Sequence, residues 1–161
     1  MRFCGPMNVQ SKSEAQPPTG QVSILLVDDD HNDVLLVERA MKKAGLLYPL
    51  IHRQDGEEAI DYLDGKPPYS DRARHPLPTL VLLDIKMPKM TGLDVLTWLQ
   101  KQPHLAKIPV VILTASVRKE DRSEAEKLGA VGFQTKPVDF MELVKIIQDV
   151  DARWLNQIRK T

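Results

Sequence analysis

The chain reads as an α/β domain built on a parallel sheet with helices on both faces. Three observations predict this. Short apolar runs alternate with stretches of helical periodicity, the signature of successive βαβ units. The runs Ile24-Leu25-Leu26-Val27, Leu80-Val81-Leu82-Leu83 and Val110-Val111-Ile112-Leu113 are apolar at every position, as strands buried on both faces are. Each ends abruptly in a polar group: Asp28-Asp29-Asp30, Asp84 and Thr114 respectively, while Val131 to Thr135 runs into Lys136-Pro137. In an open α/β sheet the carboxyl ends of the strands are where ligands bind. One sheet edge would thus collect acids, a hydroxyl and an amine, a set suited to a divalent cation and a phosphoryl group.

Residues 1–21 carry Gly5, Pro6, Pro17, Pro18 and Gly20 among Ser and Gln, and read as a flexible leader. Met1 and Met7 are both candidate starts. The first strand spans about 22–27. A helix over about 31–44 follows, with Val34, Leu35, Val37, Ala40, Met41 and Ala44 at helical spacing, and Gly45 stops it. Leu50 to Arg53 is a short strand. Asp55 is placed to cap the next helix, whose early Glu57 and Glu58 suit its positive end and which closes near Gly65. The segment from Lys66 to Pro78 carries four prolines and reads as a long loop. Then come a strand at 79–83, a helix at about 92–102, a strand at 108–113, a helix at about 118–128, a strand at 131–135 and a last helix from about 139.

Bulk composition narrows the function. A chain of 161 residues with 42% hydrophobic content allows one domain with tail to spare. Lys+Arg and Asp+Glu both number 22, which argues against a nucleic-acid binder. The single cysteine, Cys4, permits no intrachain disulfide or Cys-based metal site and points to a reducing compartment. The apolar runs fall far short of the roughly 20 residues that span a bilayer, and no signal peptide is visible, so a cytoplasmic protein without a membrane partner is expected.

Asp28, Asp29 and Asp84 would converge at neighbouring strand ends. A pair of like charges at ~4 Å costs about 4 kcal/mol at an effective dielectric near 20. A divalent cation removes that repulsion, and Mg²⁺ prefers hard oxygen ligands. The same acids also suit helix N-caps, and Asp30 is placed as one before the helix at His31. Asp84 is a candidate nucleophile toward phosphorus, or a turn-initiating Asp without chemistry. The Thr114 hydroxyl could bond a phosphoryl oxygen, with small Ala115 and Ser116 leaving room, or simply start a helix. Lys136 could pair with Asp84 and then with the phosphoryl group, or stand in solvent. The following Pro137 allows a cis peptide that would fix the turn. The histidines have no metal-ligand spacing, and Trp98 and Trp154 read as packing residues.

This combination resembles the receiver domain of bacterial two-component response regulators. The residues that carry the resemblance are Asp28-Asp29 after the first strand, Asp84 followed by Met87-Pro88 and Gly92, Leu113-Thr114-Ala115, and Phe133 ahead of Lys136-Pro137. It covers about residues 22–152, with 153–161 left as an extension of the last helix. The resemblance implies a flavodoxin-like sheet of order 2-1-3-4-5 and a function as a single-domain phosphorelay regulator rather than an enzyme acting on other substrates. It implies Asp84 as phosphoacceptor, and Asp28, Asp29, Asp84 and the Lys86 carbonyl around Mg²⁺. It implies Thr114 and Lys136 on the phosphoryl group and Phe133 as an aromatic switch. The implied partners are a sensor histidine kinase and a downstream protein target. The Pro-rich loop 64–78 and the phrase Ile108 to Thr114 resemble the small regulators that serve bacterial phytochromes.

The chain departs from the family pattern at Thr91, where many receivers carry Asp or Asn, at Lys86, which adds a charge beside the site, and at Val131. It ends shortly after the last helix begins, so no output domain is expected. Apolar residues in the tail, Trp154 and Leu155 among them, are expected to have little core left to cover. A homodimer on the face of the fourth helix, fifth strand and fifth helix follows, the rival being that the tail folds back on the monomer. Two other functions compete. A haloacid-dehalogenase-like phosphatase would use Asp28 in an Asp-x-Asp motif, but Asn32 replaces the expected Thr and Asp84 goes unexplained. An inactive docking protein would not need the full set of acids, Thr and Lys.

Overall fold

The computed structural model describes residues 21–156. Five strands, β1 (Ile24–Val27), β2 (Leu50–Arg53), β3 (Leu80–Leu83), β4 (Val110–Thr114) and β5 (Gly132–Thr135), form one sheet of order β2-β1-β3-β4-β5 in which every neighbouring pair is parallel. The helices are α1 (His31–Lys43), α2 (Gly56–Asp64), α3 (Gly92–Gln100), α4 (Lys119–Lys127) and α5 (Phe140–Val150), and a π-helical turn follows at Asp151–Leu155. The expected leader over 1–21, apart from Gln21, lies outside the described residues, as do 157–161. Among the described residues no helix is long and apolar enough to cross a membrane.

Alternation along the strands builds two cores. Ile24, Leu26, Leu80, Leu82, Val111 and Leu113 face α1 and α5. Leu25, Val27, Val81, Leu83, Val110 and Ile112 face α2, α3 and α4. The three central strands are buried along their whole length, which is why their sequences are continuously apolar. The edge strands β2 and β5 are partly exposed and correspondingly mixed.

The helix signals work as the sequence predicts. The Asp30 carboxylate accepts the Asn32 and Asp33 N–H groups at the start of α1, and Asp55 accepts the Glu58 N–H at the start of α2. Thr91 and Asp94 form a reciprocal capping box on α3, which gives the departure at Thr91 a local role. That helix stops two residues before the expected end. Lys101 and Gln102 donate to Trp98 and Leu99, a tightened last turn ahead of Pro103.

Two expectations are corrected. The Lys136–Pro137 peptide is trans, the ordinary preference of an X–Pro bond, and the cis peptide among the described residues is Pro67–Pro68. The tail does not present Leu155 to solvent. Leu155 is fully buried in the α1/α5 core, where the turn after α5 lays it, and half-buried Trp154 packs beside it. The rival reading, a tail folded back onto the monomer, is the one observed.

Candidate functional site

Register sets the site. Val27 pairs with Leu83, so Asp28 and Asp84 leave adjacent strands side by side, tied by the Asp84 N–H to the Val27 carbonyl at 3.0 Å. Thr114 pairs with Thr135, and the Lys136 N–H donates to the Thr114 carbonyl at 2.7 Å. The carboxyl edge of β1, β3, β4 and β5 therefore gathers the predicted groups into one cluster.

Carboxylate oxygens of Asp28, Asp29 and Asp84 lie within 4.8 Å of one another. Asp28 and Asp84 are buried, while Asp29 opens to solvent. Each buried acid has one oxygen held by backbone: the Asp30 N–H on Asp28 at 2.9 Å and the Lys86 N–H on Asp84 at 3.2 Å. The other oxygen of each meets the Lys136 ammonium, at 2.8 Å from Asp28 and 3.0 Å from Asp84. Burial raises the Asp28 pKa, against the opposing pull of its Lys136 and Asp30 hydrogen bonds. For Lys136, burial works to lower the pKa, but hydrogen bonds donated to three carboxylates outweigh it and hold the ammonium above the ordinary lysine value.

The third carboxylate is Asp33, in the first turn of α1, at 2.6 Å from Lys136 Nζ. Sequence reasoning placed the helix but passed over this acid. The signal available was an Asp one turn beyond the Asp28-Asp29-Asp30 run. His52 was also missed. Its Nε2 lies 2.8 Å from the Asp28 carbonyl, joining edge strand β2 to the site.

On the other flank, Thr114 is fully buried, and its hydroxyl accepts the Ser116 N–H at 3.3 Å. The Ser116 hydroxyl donates to Asp121 of α4, which anchors the loop between β4 and α4. Phe133 sits on β5 opposite Ile112, half-buried, with the Arg122 guanidinium 5.6 Å from its ring centre. It therefore belongs to the α4–β5 surface and not to the acidic cluster. Beneath the cluster, the α3 N-terminus packs so tightly that a Cβ on Gly92 would lie 2.1 Å from the Asp84 carbonyl oxygen. Lys89, with φ of 67°, turns the intervening loop.

The donor set is all oxygen, and its acids outnumber their cation. Lys136 meets Asp28, Asp33 and Asp84, and Asp29 adds a fourth carboxylate beside Asp28 and Asp84. That excess negative charge and the hard ligands fit a divalent metal. Chemically, the arrangement offers a buried carboxylate beside an ammonium, with a buried hydroxyl at the end of the neighbouring strand.

Comparison with known proteins agrees. Residues 24–148 match the family described as response regulator receiver domain. The response regulator Rcp1 of Synechocystis is 33% identical over 145 residues, covering 90% of this chain and 95% of that protein. The structure of the phosphorylated cyanobacterial phytochrome response regulator RcpA superposes with a TM-score of 0.77 at 30% identity, covering 85% of this chain and 96% of that one. The Mn²⁺-bound form of Rcp1 gives 0.75 at 34% identity, with coverage of 83% and 94%. Strand order, the convergence of acids and lysine at one sheet edge, and these matches lead to one assignment: the chain belongs to the response regulator receiver family and is a phosphorelay signalling protein.

Proposed function

We propose that the unit over residues 22–152 accepts a phosphoryl group on Asp84 from a phosphohistidine of a sensor kinase. The observation that carries this is Lys136 bridging Asp28 and Asp84 while Asp29 lies within metal-sharing distance. An Asp84 carboxylate oxygen attacks phosphorus in line, a P–O bond forms, the P–N bond breaks, and the electron pair returns to the imidazole nitrogen. Asp28, Asp29, Asp84 and the Lys86 carbonyl would hold Mg²⁺, which neutralises charge on the transferring group. Lys136, released from Asp28 and Asp84, turns N–H donors to the phosphoryl oxygens. The Thr114 hydroxyl leaves the Ser116 N–H for the same group and vacates space toward Phe133.

The kinase partner is phytochrome-like, a reading supported by the cyanobacterial phytochrome regulator among the similar structures. Signalling takes place in the cytoplasm, through an output protein target and a homodimer on the α4–β5–α5 face. There Arg122–Glu126 and Asp149–Arg153 ion pairs flank a cavity of about 300 Å³. A two-fold axis could exchange those pairs between copies.

Incubation with acetyl phosphate and Mg²⁺, followed by intact mass, tests the reading. One phosphoryl adduct is expected, absent in Asp84→Asn and suppressed by excess chelator. An adduct that persists in the variant would overturn the assignment.

A further inference from the structure

Strand β2 forms one open edge of the sheet. The Pro49 and Arg53 carbonyls accept from Ile24 and Asp28 of the β1 side, so the alternate residues Leu50 and His52 turn their backbone groups outward. A groove of about 520 Å³ runs along this rim from Gln21 and Pro49 to Arg53, walled by Tyr62 and by Arg74, His75 and Pro76 of the long loop. Its lining holds two arginines and two histidines and no acid, in a chain whose net charge is zero. The two buried side-chain atoms without a hydrogen-bond partner among the described residues, Ser23 Oγ and Arg53 Nε, both belong to residues of this lining, and Ser23 is fully buried.

Arg53 is the centre of the feature. Its guanidinium lies 5.0 Å from the Tyr62 ring centre and 4.7 Å from that of Tyr69, and it donates to the outward carbonyl of His52. Natural sheets blunt free edges with cations in this way. Here the guard has a selective consequence. A neutral strand that approached the edge would have to displace the Arg53 hydrogen bond without replacing it. A strand carrying carboxylates offers the guanidinium a stronger, charge-assisted partner.

We propose that the β2 edge docks an extended acidic segment of a partner protein, which adds as a further strand of the sheet. Backbone groups of Leu50 and His52 supply the pairing, and Arg53 and Arg74 read the acidic side chains. The chain's own residues 1–20 are the wrong occupant, since Arg2 and Lys12 outnumber Glu14. A second copy paired edge to edge would set Arg53 and Arg74 against their own kind. The groove lies at the opposite edge of the sheet from β5, so it can be filled while the α4–β5–α5 face is engaged.

The test uses the full chain and a fluorescent hexapeptide of alternating valine and glutamate, read by anisotropy at low salt. Binding is expected, with slowed amide exchange at Leu50 and His52. Arg74→Glu, an exposed change that leaves the fold intact, is expected to weaken binding by roughly tenfold or more. The proposal is overturned by no binding, equal binding of a valine–lysine hexapeptide, equal binding of a backbone N-methylated valine–glutamate peptide, unchanged affinity in Arg74→Glu, or no protection at Leu50 and His52. Glutarate in place of the peptide is expected to bind far more weakly, and equal affinity would reduce the site to one for free carboxylates and so overturn strand addition.

Discussion

Lys136 is held more closely by Asp33 than by the acids of the sheet edge: 2.6 Å separate its ammonium from Asp33, against 2.8 Å to Asp28 and 3.0 Å to Asp84. All three N–H donors of the ammonium are thus engaged by carboxylates. Metal and phosphoryl ligands would draw Asp28 and Asp84 away, leaving Asp33 as the anchor that keeps Lys136 on the α1 side of the pocket. Asp33→Asn should weaken Mg²⁺ binding by about fivefold, on the order of 1 kcal/mol for one partly screened carboxylate. Acetyl phosphate labelling should slow as well. Titration of Trp fluorescence or calorimetry with Mg²⁺ measures the first effect and intact mass the second. Unchanged affinity and rate would show Asp33 to be a bystander.

The fold favours the protonated form of Asp28 over the ionised one. Its folded-state pKa is raised, chiefly by burial. The folded chain therefore binds this proton more tightly than the unfolded chain, and the stability it contributes is present at acid pH and lost as pH rises through the raised value. In chelator near neutral pH, Asp28→Asn should melt at a higher temperature than the native chain, and the gap should shrink toward acid pH. With Mg²⁺ at a hundred times its Kd, the native chain should gain ~2.7 kcal/mol and the variant almost none. Thermal melts across pH, with and without Mg²⁺, check both signs.

What was legible in the sequence was what local pattern encodes. Continuous apolar runs marked β1, β3 and β4, and the polar residue ending each run marked the site, because parallel strands in register must release those residues at one edge. Asp30 and Asp55 follow short-range capping chemistry that a sequence carries openly, while the same chemistry at Thr91 went unread. Asp33 was not legible in the same way, since its contact with Lys136 depends on how α1 tilts over the sheet across 103 residues of chain. Leu155 failed for a related reason. Helical spacing shows that a face is apolar but not whether core remains for it to cover, and the π-helical turn at Asp151–Leu155 redirects the tail.

Gly92 is required by packing against the backbone of Asp84, the proposed phosphoacceptor. A Cβ there would stand 2.1 Å from the Asp84 carbonyl oxygen and 2.9 Å from the Ile85 Cα, both backbone atoms that cannot yield cheaply. Gly92→Ala should cost about 3 kcal/mol or more, at the upper end of overpacking. Urea melts should show the loss, and the surviving folded fraction should label slowly, because relief of the clash displaces Asp84.

Phe133 is held at the surface partly by Arg122, whose guanidinium lies 5.6 Å from the ring centre. Such contacts contribute about 0.5–1 kcal/mol at exposed sites. Removing the arginine should favour the inward ring by a factor of roughly 2–5 in population. The chain has three phenylalanines, so fluorophenylalanine labelling gives a tractable fluorine spectrum. Arg122→Ala should move the Phe133 signal toward its beryllofluoride-bound position before any activation, and Thr114→Ala should widen the space the ring enters. A Phe133 resonance indifferent to beryllofluoride would end the switch reading.

The burial of Leu155 changes what a dimer can be built from. A tail that covered the partner would leave the monomer intact when removed. Instead Leu155 is fully buried in the α1/α5 core, and Trp154 closes over Gly132 at 3.0 Å from where a Cβ would stand. Leu155→Ala should therefore destabilise the monomer by about 2–5 kcal/mol, as buried leucine truncations do. Truncation after Asp151 should do at least as much harm, without itself separating dimer from monomer. A dimer surface would then come from groups that remain exposed: Val131, beside the Arg122–Glu126 and Asp149–Arg153 pairs, and Val138 and Met141 at the start of α5. Val138→Glu combined with Met141→Glu places charge on the exposed start of α5 without touching the core. Sedimentation velocity should show the native chain shifting toward a dimer with beryllofluoride and the double variant remaining a monomer at the same melting temperature. A native chain that stays monomeric at high micromolar concentration, with and without beryllofluoride, would exclude the dimer and leave the face to the output partner.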